Sequence, residues 1–360
     1  MTVPVLYIAI TNHGFGHATR VASVAATIQH HCPELLIILV TTAPRWLLEA
    51  YFPGEFIHRP RALDVGVVQS DSLTMDKSAT LDKLKDIRLR QKAIVQAEAD
   101  FIQQNKVRLI LADIPPLATA IARAAKIPCW MMSNFGWDFI YSAWGAEFAE
   151  ITGWIQECFQ QCDRLFRLPF HESMSAFPAI TDVGLTGGTP RYSIQDLQSA
   201  TGIKPLPLEK TVLLTFGGLG LDKIPYDNLD RFPDWQFITF DSQAPVAPNL
   251  IKVTDRRYRP VDFMPFCGRL VSKPGYSTFA EACRLGVPIA SLTREDFAES
   301  ALLLSGIQDH AFHQILQPAE FFEGDWGFLH TDPHPPRQVQ SLLTNGNETI
   351  AQAVVNYFAP

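Results

Sequence analysis

The sequence predicts an α/β protein built from two Rossmann-like, doubly wound domains that face a shared cleft. Three observations carry that expectation. Apolar runs of strand length alternate with helical patterns along the chain, as βα units require. The two halves open alike, each with a buried strand and a glycine loop: Val3–Ile10 before Gly14-Phe15-Gly16, and Thr211–Phe216 before Gly217-Gly218-Leu219-Gly220. Between them, Thr186–Arg191 and Gly202–Pro207 are rich in turn-forming residues. The expected division is a first domain at 1–186, a linker at 187–209, a second domain at 210–346, and a last helix at 347–360 that crosses back to the first domain. A chain of 360 residues also exceeds one ordinary core.

In the first domain, Val3–Ile10 is a strand and Val21–His30 an Ala/Val-rich helix. The loop between them carries His13, Gly14, Gly16 and His17, and its glycines let backbone approach a ligand closely. Thr19 stands where the third glycine of a dinucleotide loop belongs, and no acidic residue closes the next strand, Leu35–Val40. An NAD site of the usual kind is therefore disfavoured. A histidine at the C-terminal end of a strand suits proton transfer near neutral pH, although packing at a helix start would also account for it. Asp113 ends the strand Val107–Ala112; it can cap the helix opened by Pro115 and Pro116, and it can orient an imidazole. Gln69–Asp100 reads as a loop and a long, solvated helix. The strand Cys129–Met132 leads into the aromatic stretch Phe135–Trp144, which could pack a core, floor a sugar site or touch lipid. Asp138 inside it needs a partner if buried.

Arg164–Leu168 is a further strand before the linker, and Trp235–Phe240, Asn249–Val253, Leu270–Ser272 and Val287–Leu292 continue the second domain. The basic run Asp255–Arg259 reads as a solvated turn or the edge of a phosphate cleft. The stretch Ser272–Pro288 is the most informative. Pro274 and Gly275 break a strand, Ser277 and Thr278 offer hydroxyl caps to a helix reaching Leu285, and Gly286 and Pro288 stop it. A helix start at that position suits a phosphate, with Glu281 one turn on within reach of ribose hydroxyls. The same residues form a Ser/Thr-x-x-Glu capping box, which needs no ligand.

Composition narrows the function. A hydrophobic content of 47% with 19% charged residues describes a folded protein, and a formal charge of −7 argues against general nucleic-acid binding. The six cysteines are scattered without a CxxC pair, so reduced thiols are expected and no metal site. The N-terminus lacks a basic n-region and no run is long enough to span a bilayer, which points to the cytoplasm.

Together, Gly16-His17, Gly217-Gly218 and Pro274-Gly275-x-Ser277-Thr278-x-x-Glu281 resemble the GT-B glycosyltransferases, among them the N-acetylglucosaminyltransferases of cell-wall precursor synthesis. His13–Arg20, Ser133–Tyr141 and Lys273–Tyr276 resemble more closely the N-terminal, glycosyltransferase-like part of plant L-arabinokinases. The kinase half of those proteins has no counterpart here.

The resemblance implies roles. The first domain would take the acceptor and the second the nucleotide-sugar, UDP-linked and used as a substrate rather than a cofactor. Gly275, Tyr276, Ser277 and Thr278 would hold the diphosphate, Glu281 the ribose, and Gly16, Gly217 and Gly218 would allow close approach. Arg191 would neutralise phosphate. Asp296 and Glu299 fall where donor-sugar hydroxyls are gripped, but depart from the usual Asp-Gln or Gln-Gln pair, which leaves the sugar open. His17 would be the general base, Asp113 its orienting partner and His13 a second candidate. The chain contains no Asp-x-Asp, so a metal-independent, inverting transfer is expected. The acceptor is unidentified; the aromatic stretch makes an apolar or lipid-linked acceptor, with peripheral membrane contact, conceivable. The alternatives are a nucleotide-sugar-binding or regulatory protein without turnover and, more weakly, a sugar-nucleotide epimerase.

Overall fold

The computed structural model describes residues 3–69, 74–218, 220–221 and 223–359; Leu219 of the second glycine loop lies outside them. The first domain contains β1 (Val5–Ile10), α1 (Gly16–His31), β2 (Leu36–Val40), α2 (Arg45–Tyr51), β3 (Phe56–Arg59) and α3 (Lys77–Gln104). It continues through β4 (Val107–Asp113), α4 (Leu117–Ala125), β5 (Cys129–Ser133), α5 (Trp137–Ser142), α6 (Ala149–Phe159), β6 (Arg164–Arg167) and β7 (Ile180–Asp182). A linker with one helix, α7 (Ile194–Thr201), leads to β8 (Thr211–Thr215), β9 (Gln236–Thr239), β10 (Leu250–Lys252) and α8 (Pro260–Phe263). The second domain ends with β11 (Arg269–Ser272), α9 (Tyr276–Leu285), β12 (Ile289–Leu292), α10 (Glu299–His310), β13 (His313–Leu316), α11 (Pro318–Phe322) and α12 (Gly346–Phe358).

Both sheets are parallel and doubly wound. The first runs β3-β2-β1-β4-β5-β6-β7 and the second β10-β9-β8-β11-β12-β13, so the order reverses between β1 and β4 and between β8 and β11. Helices cover both faces, which is why central strands such as Val5–Ile10 are apolar and buried throughout instead of alternating. One continuous apolar cluster joins α1 and one face of the first sheet to α8, α9 and α12, so the two domains share a core. α12 packs on α1, and Tyr357 donates its hydroxyl to the Arg108 carbonyl (2.8 Å). Three strands have no counterpart in the sequence pattern: β3, β7 and β13, of four, three and four residues.

Candidate functional site

Ligands of open α/β sheets bind where the strand order reverses, beyond the carboxyl ends of the strands. Here two such points face each other. In the first domain Ile10 pairs with Asp113, so the loop after β1 and the end of β4 are neighbours. In the second, Thr215 pairs with Ser272, bringing the Gly217-Gly218 loop beside Lys273-Pro274-Gly275. The cleft between them is lined by His13, Gly16, His17, Gly275, Tyr276, Ser277, Thr278 and Glu299, together with Gly217, Gly218, Lys273 and Arg294. It encloses about 100 Å³, below the roughly 300–1,000 Å³ of ordinary ligand pockets, so the lobes are drawn together.

On the first lobe, His17 lies in the opening turn of α1. Its Nδ1 is 3.0 Å from Asp113 Oδ1, an imidazole–carboxylate pair with both groups buried. The sequence does not betray the third member. Arg20, one turn on, donates Nε to Asp113 Oδ2 and Nη2 to Oδ1, each at 2.6 Å. Burial works against the Asp113 charge, but Arg20 and then His17 outweigh it and hold the carboxyl below its ordinary range. Asp113 does not cap a helix, because α4 begins only at Leu117. Arg20 Nη1 donates to Asn134 Oδ1 (2.9 Å), and Asn134 donates to Glu299 Oε1 (2.8 Å) in the opposite lobe. The chain of contacts thus crosses the cleft.

His13 differs from His17. Its Nδ1 accepts the Val67 N–H (3.3 Å) and its ring stacks on Phe297 at 5.4 Å. Burial, then the charges of His17, Arg294 and Lys273, push its pKa well below the usual imidazole value. A neutral imidazole that accepts at Nδ1 carries its proton on Nε2, so His13 presents a donor, not a base.

The second lobe contributes the start of α9. Contrary to the sequence expectation, neither Ser277 nor Thr278 caps it: the N-cap is Gly275, which has no side chain to offer the first amides. Both hydroxyl residues already lie inside the first turn, so Glu281 does not close a capping box. Ser277 instead donates its hydroxyl to the Gly16 carbonyl (2.7 Å), tying the two lobes together. α1 likewise begins without a side-chain cap, at Phe15. Two uncapped helix N-termini, each with free N–H groups and partial positive charge, therefore meet at one point.

Three expected donor-side residues lie elsewhere. Glu281 is buried beneath the linker, accepting the Gly188 N–H (2.8 Å), and burial raises its pKa to about 7. Glycine makes that approach possible: a Cβ on Gly187 would lie 2.8 Å from Glu281 Cγ. Arg191 donates to the Arg257 carbonyl (2.7 Å) and lines a separate groove with Arg259 and Arg284. Asp296 is exposed and pairs with Lys77 (2.7 Å), while its carbonyl accepts Trp144 Nε1 (2.7 Å). The close approach to Gly218 is made by Phe15, whose ring would stand 2.3 Å from an added Cβ.

The aromatic stretch is core. Phe135, Trp137, Tyr141 and Trp144 are all buried and in ring contact, Trp137 stacked on Tyr141 and edge-on to Phe135 and His13. No lipid-facing surface comes from them. Asp138 is buried with Oδ1 unbonded, and burial, then the Glu172 charge, raises its pKa to about 6. Two cations that sequence reading left without a role, Lys273 and Arg294, line the cleft where Arg191 had been expected. Lys273 stands two residues before Gly275 and was legible as part of that motif; Arg294 follows β12 with no local signal. Among the described residues no helix is long and apolar enough to cross a membrane.

No family model matches the chain. It is 28% identical over 331 residues to the L-arabinokinase of Arabidopsis thaliana, an alignment covering 88% of this chain and 31% of that protein. The chain thus spans under a third of its relative. Among solved structures it resembles the calicheamicin glycosyltransferase CalG4 (TM-score 0.65, 14% identity, all of both chains). It also resembles Medicago truncatula UGT71G1 complexed with UDP-glucose (TM-score 0.58, 13% identity, 99% of this chain and 95% of that one). The fold is that of the GT-B glycosyltransferases.

Proposed function

We propose that the chain is a glycosyltransferase that moves a sugar from a nucleotide diphosphate, UDP in the first instance, to an acceptor hydroxyl. The observation that carries this is the meeting of the uncapped starts of α1 and α9 beside the His17–Asp113 pair. Two like helix ends repel, and an anion between them relieves that repulsion. The fold shared with a UDP-glucose-bound transferase supports the choice of donor.

In this reading the diphosphate bonds the amides of Tyr276–Thr278, with Lys273 and Arg294 adding positive charge. His17 Nε2 takes the acceptor proton, and the acceptor oxygen attacks the anomeric carbon from the face opposite the leaving group. The bond to the diphosphate oxygen breaks, and its electron pair leaves with the nucleoside diphosphate. The result is inversion without a metal ion, the helix amides and side-chain cations stabilising the departing charge. Glu299, which accepts from Asn134, takes a hydrogen bond from a donor-sugar hydroxyl in this reading. Because the cleft is narrow, the lobes open to admit the donor.

Thermal-shift measurements with UDP, UDP-sugars and GDP-sugars, followed by assay of nucleoside diphosphate release, test this. A stabilising nucleotide-sugar should be hydrolysed slowly, and His17→Ala should keep the binding while losing about 10²–10⁴-fold in turnover. A second reading, a nucleotide-sugar-binding or regulatory protein, is favoured by the engagement of Asp296 with Lys77 away from the cleft. Binding with no release, unaffected by His17→Ala, decides for it. No stabilisation by any nucleotide removes both.

A further inference from the structure

Two neighbours compete for one nitrogen of His17. Nδ1 lies 3.0 Å from Asp113 Oδ1, an acceptor, and 2.9 Å from Arg20 Nη2, a donor. It cannot serve both: as N–H it bonds the carboxylate, and as a lone pair it bonds the guanidinium. The outcome decides what the ring can do, because a neutral imidazole exposes a lone pair at Nε2 only when Nδ1 holds the proton.

We infer that Arg20 is a positioning residue that fixes the His17 tautomer, and that Ser133 is what makes it do so. Nη2 has two hydrogens. Asp113 Oδ1 at 2.6 Å takes one and Ser133 Oγ at 3.1 Å takes the other, leaving none for His17. Asp113, acceptor-only and fully buried, has lone pairs for Arg20 and His17 together. Nδ1 is therefore the protonated nitrogen and Nε2 the free one. The guanidinium cannot rotate away from this arrangement. Nε is held by Asp113 Oδ2, Nη1 by Asn134, whose amide is anchored on Glu299 of the other lobe, and the Tyr276 ring lies 4.9 Å from its carbon. The tautomer is thereby tied to the closed position of the lobes. In a serine-protease triad, the wrong tautomer with geometry intact lowers turnover by about 10⁴-fold, so a device that fixes it is worth having.

The consequence for turnover rests on the transferase reading; the tautomer does not, and it is measured without substrate. The full chain is labelled with ¹⁵N-histidine, His17 is identified by its loss in His17→Gln, and coupling to the ring protons shows which nitrogen carries hydrogen in the neutral form. Nδ1 protonated and Nε2 bare is the expected result. Ser133→Ala releases one Nη2 hydrogen towards His17, so a measurable share of the ring should move to the Nε2–H form while UDP binding is retained. An Nε2–H ring in the unaltered protein overturns the inference, as does a Ser133→Ala spectrum unchanged at His17. Should that variant fail to fold, Ser133→Cys, whose sulfur is a far weaker acceptor for the Nη2 hydrogen, takes its place with the same expected shift. A chain that binds no nucleotide would still give this spectrum, so failure here and failure of the transferase reading are told apart.

Discussion

Replacing Asp113 with Asn keeps the side chain's size and removes its charge. In the native protein Asp113 is fully buried and accepts from Arg20 Nε and Nη2 at 2.6 Å, with His17 Nδ1 at 3.0 Å. The amide offers one acceptor oxygen; its NH₂ must face a guanidinium N–H or the imidazole. Arg20, 2% exposed, then has no carboxylate in direct contact. Opposite charges about 4 Å apart attract by about 4 kcal/mol at an effective dielectric of 20, and removing one partner of a buried pair costs about 3–5 kcal/mol. At roughly 2–4 °C per kcal/mol for a domain of this size, the melting temperature should fall by about 6–20 °C. Calorimetry and urea unfolding measure this. The double variant Arg20→Met with Asp113→Leu removes both charges and should recover most of the loss. A single variant melting within about 2 °C of the parent, or a double variant as weak as the single, would refute the buried-pair account.

Other expectations follow from individual contacts. Glu281 has its pKa raised from 4.5 to about 7, so the folded state holds a proton that the unfolded chain has released. Its contribution is therefore full below about pH 4.5 and lost as pH rises through about 7; Glu281→Gln should flatten the stability profile across that window, and a parallel profile would count against the assignment. Gly188→Ala places a methyl 2.9 Å from Tyr51 Cε1 and 3.1 Å from Glu281 Oε1, and urea unfolding should register a loss of about 1–3 kcal/mol. Lys77→Ala removes an exposed ion pair, costing at most about 1 kcal/mol, but it opens a clasp between the lobes. Stopped-flow fluorescence should show faster nucleotide association, and a large stability loss with unchanged kinetics would contradict that role.

The architecture was legible because the central strands of both sheets, β1 and β8 among them, are buried on both faces and leave continuous apolar runs, and because glycine loops follow β1 and β8. The His17–Asp113 contact was legible in part: Asp113 closes β4 and His17 opens the helix that follows β1, the two strands at which the order reverses. Arg20 was hidden because an arginine inside an Ala/Val-rich helix carries no period or motif that marks it as buried. Asn134 and Arg294 depend on which loops meet across the cleft, a long-range fact. Glu281, Arg191 and Asp296 went astray for a common reason. A motif fixes a position along a helix or loop, whereas the linker glycines, the Arg257 carbonyl and Lys77 compete for those side chains in space.

The central claim is that a nucleoside diphosphate lies between the starts of α1 and α9. A crystal structure with UDP tests it most directly. The diphosphate oxygens should lie within hydrogen-bonding distance of the Tyr276, Ser277 and Thr278 amides, with His17 Nε2 facing the space beyond the terminal phosphate. UDP bound instead in the groove of Arg191, Arg259 and Arg284, with the α1–α9 junction still closed by the Ser277–Gly16 hydrogen bond, would contradict it.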